Sequence, residues 1–149
     1  MANTNADLAR RWFEEVWNRR RDATVHELLH PAGVGHLEGA DAQGPGEFLA
    51  ARAALLDALP DLRVTVEATV SEGSEVVVRW SASGMHCGDG LGIPASSRRA
   101  SFRGMTWLRF ADGQIVEGWD SWNLGGLLND LRGAAKTRVP PDTPRGATR

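Results

Sequence analysis

The 149 residues suit one domain rather than two, and a chain of that length buries enough surface to fold without a disulfide or a metal. Apolar residues make up 42 % and charged residues 24 %, which excludes a disordered or fibrous chain, and the single Cys87 excludes an internal disulfide framework. The net charge of −2 gives no electrostatic basis for binding nucleic acid; no apolar run approaches the ~20 residues of a membrane span, and the opening MANTNADLARR lacks a signal-like apolar stretch, so cytoplasmic residence is expected.

Asn5 or Asp7 is placed to cap a first helix, in which Leu8, Trp12, Phe13, Val16 and Trp17 form one apolar stripe at helical spacing. Asn18 and the arginines at 19–21 end it. A short second helix is predicted over residues 22–29, capped by Asp22 or Thr24 and stopped by Pro31, which disfavours helical geometry at the residue before it. Residues 33–37 read as a short strand. Gly44-Pro45-Gly46 opens a third helix with Phe48, Leu49, Ala53, Leu56 and Leu59 inward, and Pro60 closes it.

The period then changes from helical to two. Leu62, Val64, Val66, Ala68 and Val70 alternate with polar residues, and a turn follows at 71–74. In the next strand Val76, Val78, Trp80, Ala82, Gly84 and His86 share a face. A glycine-rich loop, CGDGLGIPASS, leads to a strand with Phe102, Gly104, Thr106, Leu108 and Phe110 on one side. Asp112-Gly113 is a hairpin signal, and Val116, Gly118, Asp120 and Trp122 share a face of the last strand. Leu124, Leu127, Leu128 and Leu131 form the stripe of a closing helix. Three helices followed by meandering strands predict an α+β fold, with helices packed on one side of an antiparallel sheet. From Arg132 the chain carries Arg132, Lys136, Arg138, Arg145 and Arg149 against Asp142 alone, so we place one domain over residues 1–133 and a basic, proline-rich, disordered tail over 134–149.

Strand parity puts Asp120 on the apolar face. Burial disfavours an ionised carboxyl, raises its pKa and suits it to acid/base work near neutrality. Gly104 and Thr106 leave space beside it, and Trp80, His86, Phe102 and Trp122 are candidates to line that space. A cavity of this kind suits an enolisable, largely aromatic compound. The same parity also fits an Asp120 that only accepts hydrogen bonds from an indole or from helix amides.

The stretch SGMHCGDGLGIPASSRRASFRGMTWLRFADGQIVEGWDSWNLGGLLNDL resembles the SnoaL-like polyketide cyclases of the nuclear-transport-factor-like superfamily. FEEVWNRRR, ELLHP, GPGEFLAARAALLDALPDLRVTVE and EGSEVVVRW fall in the same family order, so the resemblance covers roughly residues 8–131. It implies a cone-shaped α+β barrel, dimeric through its sheet, that closes a polyketide ring by intramolecular aldol condensation without metal or cofactor. That is lyase- or isomerase-type chemistry, with an aspartate on the last strand as acid/base. Asp120 matches that aspartate. The family's histidine fourteen positions earlier is Thr106 here, a hydroxyl that carries no charge near neutrality. His36 and His86 match histidines common among relatives, and we count both with Trp80, Phe102, Thr106 and Trp122 as candidate substrate-binding residues.

Residues 26–36 also satisfy HExxHxxGxxH, in which His26, His30 and His36 would bind zinc beside Glu27 as base. Pro31 breaks the helix that the motif requires, and only 25 residues precede it, so no metal site is expected. The loop from Gly84 to Gly92 precedes a strand rather than a helix, which argues against a phosphate cradle, and Cys87 has no activating partner in sequence. Two readings stand: a cofactor-independent acid/base enzyme acting on a small apolar carbonyl compound, and a protein of the same fold that holds a hydrophobic ligand without chemistry. In both, the expected partners are a small apolar ligand and a second copy of the chain, not nucleic acid or membrane.

Overall fold

The computed structural model describes residues 4–136. Residues 137–149, the greater part of the basic tail, lie outside the described residues. Helix α1 (Asn5–Trp12) is capped by Thr4, ahead of the expected Asn5 or Asp7, both of which lie inside the helix. Thr4 Oγ1 accepts from the Asp7 N–H, and the Asp7 carboxylate accepts from the Thr4 N–H, a reciprocal capping box. The helix runs on without a break into a π-helical stretch, Phe13–Asn18. The Asn18 amide that ends it bonds both the N–H and the C=O of Val64, each at 2.8 Å. Helix α2 (Asp22–Leu28) has no side-chain cap. Neither Asp22 nor Thr24 caps it, because both are engaged elsewhere: Asp22 pairs with Arg52, and Thr24 donates to Glu15.

Strand β1 (Leu29–Leu37) is longer than the periodicity implied, and a tight turn through Gly39 (φ +92°) carries it into β2 (Ala40–Gln43), which the sequence did not reveal. Helix α3 (Gly44–Ala58) has Pro45 in its first turn, as expected. Its inward stripe is Phe48, Arg52, Ala58 and the following Leu59, whereas Ala53 is exposed. Arg52 takes the inward place expected of Ala53 because two of its nitrogens are paired there: Nη1 donates to the Val16 carbonyl at 3.0 Å and Nη2 pairs with Asp22, while Nε is buried without a partner among the described residues.

Four long strands follow: β3 (Arg63–Glu72), β4 (Glu75–Met85), β5 (Arg99–Ala111) and β6 (Gln114–Trp122). The six strands form one curved, unclosed sheet in the order β2-β1-β6-β5-β4-β3, antiparallel throughout except where β1 runs parallel to β6. Asp112 and Gly113 both have positive φ, as a two-residue I′ hairpin turn between β5 and β6 demands. Two bulges correct the expected facing of side chains. Register slips between Val66 and Ala68, so Thr69 rather than Ala68 opposes Val78, and Val70 is 70 % exposed. In β6, Ile115 pairs with Phe110 and Glu117 with Arg109, which leaves Val116 as the extra residue and turns Ile115 inward in its place. One inserted residue reverses every side chain beyond it.

The concave face of the sheet and helices α1–α3 enclose the core, where Val16, Val25, Leu59, Val76 and Val78 are fully buried. Each such aliphatic side chain stabilises by roughly 1.5–3 kcal/mol. The glycine-rich loop is folded against the end of α3. Cys87 N–H donates to the Ala58 carbonyl at 3.0 Å, and a Cβ at Gly88 or Gly90 would collide with helix backbone. Those glycines serve close packing. Helix α4 (Leu124–Lys136) is the last element among the described residues, with Leu127 and Leu131 buried. No helix among the described residues is long and apolar enough to cross a membrane.

Candidate active site

The pairing of β4, β5 and β6 decides what meets what on the concave face. Thr106 lies directly opposite Asp120, and Gly104 lies between Trp80 on one side and Trp122 on the other. A Cβ at Gly104 would come within 2.6 Å of the Trp122 Cβ and 2.7 Å of the Trp80 ring, so the missing side chain is what admits both indoles. Trp80 meets Phe102 edge-on at 6.0 Å between ring centroids, and Phe102 stacks on Trp122 at 4.9 Å. These rings, with Thr106 and Asp120, line one side of a cavity of about 200 Å³; Trp12, Trp17 and Phe48 from the helices face them.

Polar contacts at the cavity are few. Trp80 Nε1 donates to Thr106 Oγ1 at 2.9 Å, and Thr106 Oγ1 donates to Asp120 Oδ1 at 2.7 Å. Asp120 keeps partial access to the cavity. Burial pushes its carboxyl up from an ordinary 3.8 to about 6; the Thr106 hydrogen bond works in the opposite direction, and the nearby charge of Glu38 adds to the rise. Glu38 is a second carboxylate in the lining, held where its Oε1 accepts the main-chain N–H of Trp122 at 3.2 Å. Sequence reading missed it because its strand pair was missed. The only local signal was the dipeptide Glu38-Gly39, a turn between two short runs.

Trp80, Phe102, Thr106, Trp122 and Asp120 thus come together in one cavity, and His36 and His86 are not in its lining. His36 lies on the other face of the sheet, stacked on Trp119 with ring centroids 5.6 Å apart. Its Nε2 bonds Glu117 at 2.8 Å and its Nδ1 bonds Asp41 at 3.1 Å, and these two carboxylates raise its pKa. His86 is fully buried at the base of the glycine-rich loop, where its Nδ1 accepts the Ser96 N–H at 3.1 Å. The three histidines of HExxHxxGxxH do not converge. His26 is on α2, which ends at Leu28, while His30 and His36 are on β1. No group of three or more His, Cys, Asp or Glu side chains placed to hold a metal occurs among the described residues.

The arrangement is a curved sheet and helices around an apolar cavity whose wall carries the Asp120 carboxyl. The chain matches the model of the SnoaL-like polyketide cyclase family over residues 7–131 and belongs to that family. A protein from Jannaschia sp. CCS1, described as a SnoaL-like polyketide cyclase, superposes with a TM-score of 0.80 at 24 % identity, covering 95 % of this chain and 99 % of that one. IdmH of Streptomyces antibioticus, described as a polyketide cyclase, gives 0.76 at 26 % identity, with 87 % and 99 % covered. AclR of Streptomyces galilaeus, described as a hydroxylase, gives 0.75 at 26 % identity, with 93 % and 85 % covered. No curated protein gives a significant match.

Proposed function

We propose that this protein is a cofactor-independent acid/base catalyst in which Asp120 moves a proton to and from carbon on a small apolar carbonyl compound, such as a polyketide, in an aldol-type cyclisation or a related transfer. The observation that carries this reading is a carboxyl held near neutrality at the wall of an apolar cavity, with a single hydroxyl for a partner. A carbon flanked by carbonyls is acidic enough for one positioned base, and the aromatic walls orient the substrate and exclude water. Trp80, Phe102 and Trp122 are the proposed substrate contacts.

The test is deuterium exchange at the activated methylene of an aryl β-ketoester, followed by NMR. Wild-type protein is expected to accelerate exchange with an acid limb near pH 6, and Asp120→Asn to abolish the acceleration. Full exchange by the variant would overturn the reading. A second reading, a ligand carrier without chemistry, draws on Thr106, which leaves the carboxyl without a protonatable neighbour of opposite charge. It predicts that the ketoester binds equally to both proteins while neither accelerates exchange.

The second expected partner, a copy of this chain, is supported by the convex face. Val77, Trp107 and Trp119 lie in one row across β4, β5 and β6, and Trp107 and Met105 are about half exposed. Sedimentation equilibrium should give a dimer for the wild type and a monomer for Trp107→Glu; a monomeric wild type would refute the proposal.

A further inference from the structure

We infer that Trp80 and Thr106 form a one-way hydrogen-bond relay that fixes which oxygen of Asp120 reacts, making Oδ2 the atom that takes the substrate proton and Thr106 and Trp80 positioning residues. This deepens the acid/base reading and rests on it.

The direction follows from the donor inventory. An indole N–H only donates. Trp80 Nε1 therefore commits one lone pair of Thr106 Oγ1, at 2.9 Å, and turns the hydroxyl hydrogen toward Asp120 Oδ1, at 2.7 Å. A hydroxyl alone can rotate and can accept as readily as it donates; with the indole N–H on one lone pair and Asp120 Oδ1 as the acceptor within its reach, its hydrogen is directed at Oδ1. While the hydroxyl donates to it, Oδ1 stays an acceptor, and an incoming proton has Oδ2 as its seat. In the forward step the substrate C–H bond breaks, its electron pair passes into the enolate, and the proton becomes the Oδ2–H of Asp120. The return step delivers that proton to carbon or oxygen. Nothing moves along the relay, which begins and ends the cycle with the same hydrogens.

The relay gives the substitution of Thr106 for the family's histidine a definite consequence. Thr106 supplies one fixed hydrogen bond to the carboxylate and cannot exchange roles with it as acid and base. The charged or titratable groups that face Asp120 are few. Glu38 approaches from the β1–β2 turn; Arg52 on α3 lines the same cavity, but its guanidinium is committed to the Val16 carbonyl and Asp22. The hydroxyl is therefore the principal group that favours the ionised form.

The experiment needs no substrate. The side-chain carboxyl of Asp120 is titrated by carbon-13 NMR, with the Trp80 indole N–H followed in parallel. In the wild type the indole resonance is expected to move with the carboxyl midpoint, near 6. Thr106→Val should raise that midpoint and uncouple the indole, and Thr106→Ser should restore both. Should Thr106→Val not fold, Trp80→Phe decides: releasing the hydroxyl should raise the midpoint by less than its removal would. An unchanged midpoint in a folded Thr106→Val or Trp80→Phe protein, or no restoration by serine, overturns the relay. A wild-type midpoint in the ordinary carboxylate range would instead sink the acid/base reading while leaving the relay's direction intact, so the two failures are distinguishable.

Discussion

Glu15 and Asp120 bear the same functional group and sit on opposite sides of the ordinary carboxylate range. Glu15, in the π-helical stretch, accepts from Arg11 Nε at 2.7 Å, Arg21 Nη1 at 2.8 Å and Thr24 Oγ1 at 2.7 Å, and Arg11 above all holds it down at about 2. Asp120 faces a cavity with one hydroxyl and a second carboxylate, and burial holds it up at about 6. The first site spends its carboxylate on structure: three donors, two of them cationic, hold it ionised, and no proton is gained near neutrality. The second leaves an oxygen unclaimed. That is costly in stability and is what makes a base.

The largest effects should come from removing the raised carboxyl. Asp120→Asn is expected to lower turnover about 10²–10⁴-fold and yet to stabilise the fold at pH 8. The sign follows from linkage. A carboxyl whose folded pKa lies above its unfolded value binds more protons when folded, so its penalty is absent below about pH 4, grows to about pH 6 and is constant above. The full penalty is at most about 3 kcal/mol, reduced by the carboxyl's partial access to the cavity. Urea unfolding at pH 8 and at pH 3.5 should show a gain at the first and none at the second. Equal stability at both would mean that burial is not what holds Asp120 up.

Next in size, Gly104→Ala forces Trp80 and Trp122 apart and should cost about 2–3 kcal/mol while weakening substrate binding. Wild-type stability in that variant, read from urea midpoints, would show that the indoles have room to retreat. At the other site, Glu15→Gln should cost about 1–2 kcal/mol at pH 7. Here the folded pKa lies below the unfolded one, so the stabilisation is present above about pH 4.5 and fades as pH falls toward 2. A cost that persisted undiminished at pH 2.5 would assign it to packing rather than charge. The smallest change belongs to Glu38→Gln, which removes the like charge and should lower the Asp120 midpoint slightly, opposite in sign to the loss of the Thr106 hydroxyl. A rise instead would mean that Glu38 supports the ionised form.

The fold and the catalytic candidate were legible because they rest on local rules: a stripe at helical spacing, strands of period two, and an Asp-Gly turn. Parity alone placed Asp120 with Thr106 and Trp122 on the concave face. What parity could not give was how the two sides of a bulge face relative to one another, since nothing in the alternation of Val66 and Ala68 announces that Glu67 is an extra residue. His86 shares a face with Trp80 and was grouped with it for that reason, but three turns of pleat separate them, and its partner is a loop serine. Glu38 and Arg52 escaped because a charged residue reads as surface until its partners are known, and those partners are remote in sequence.

Asn18 has a consequence beyond ending a helix. Among the described residues, strand β3 is the outermost on its side of the sheet, with no neighbouring strand to use its remaining main-chain groups. The carboxamide of Asn18 meets Val64 as a peptide unit would, and the Arg20 guanidinium covers the Leu62 carbonyl at 3.2 Å. Two side chains thereby occupy the row where a foreign strand would add, which blunts an aggregation-prone margin without charging the strand itself.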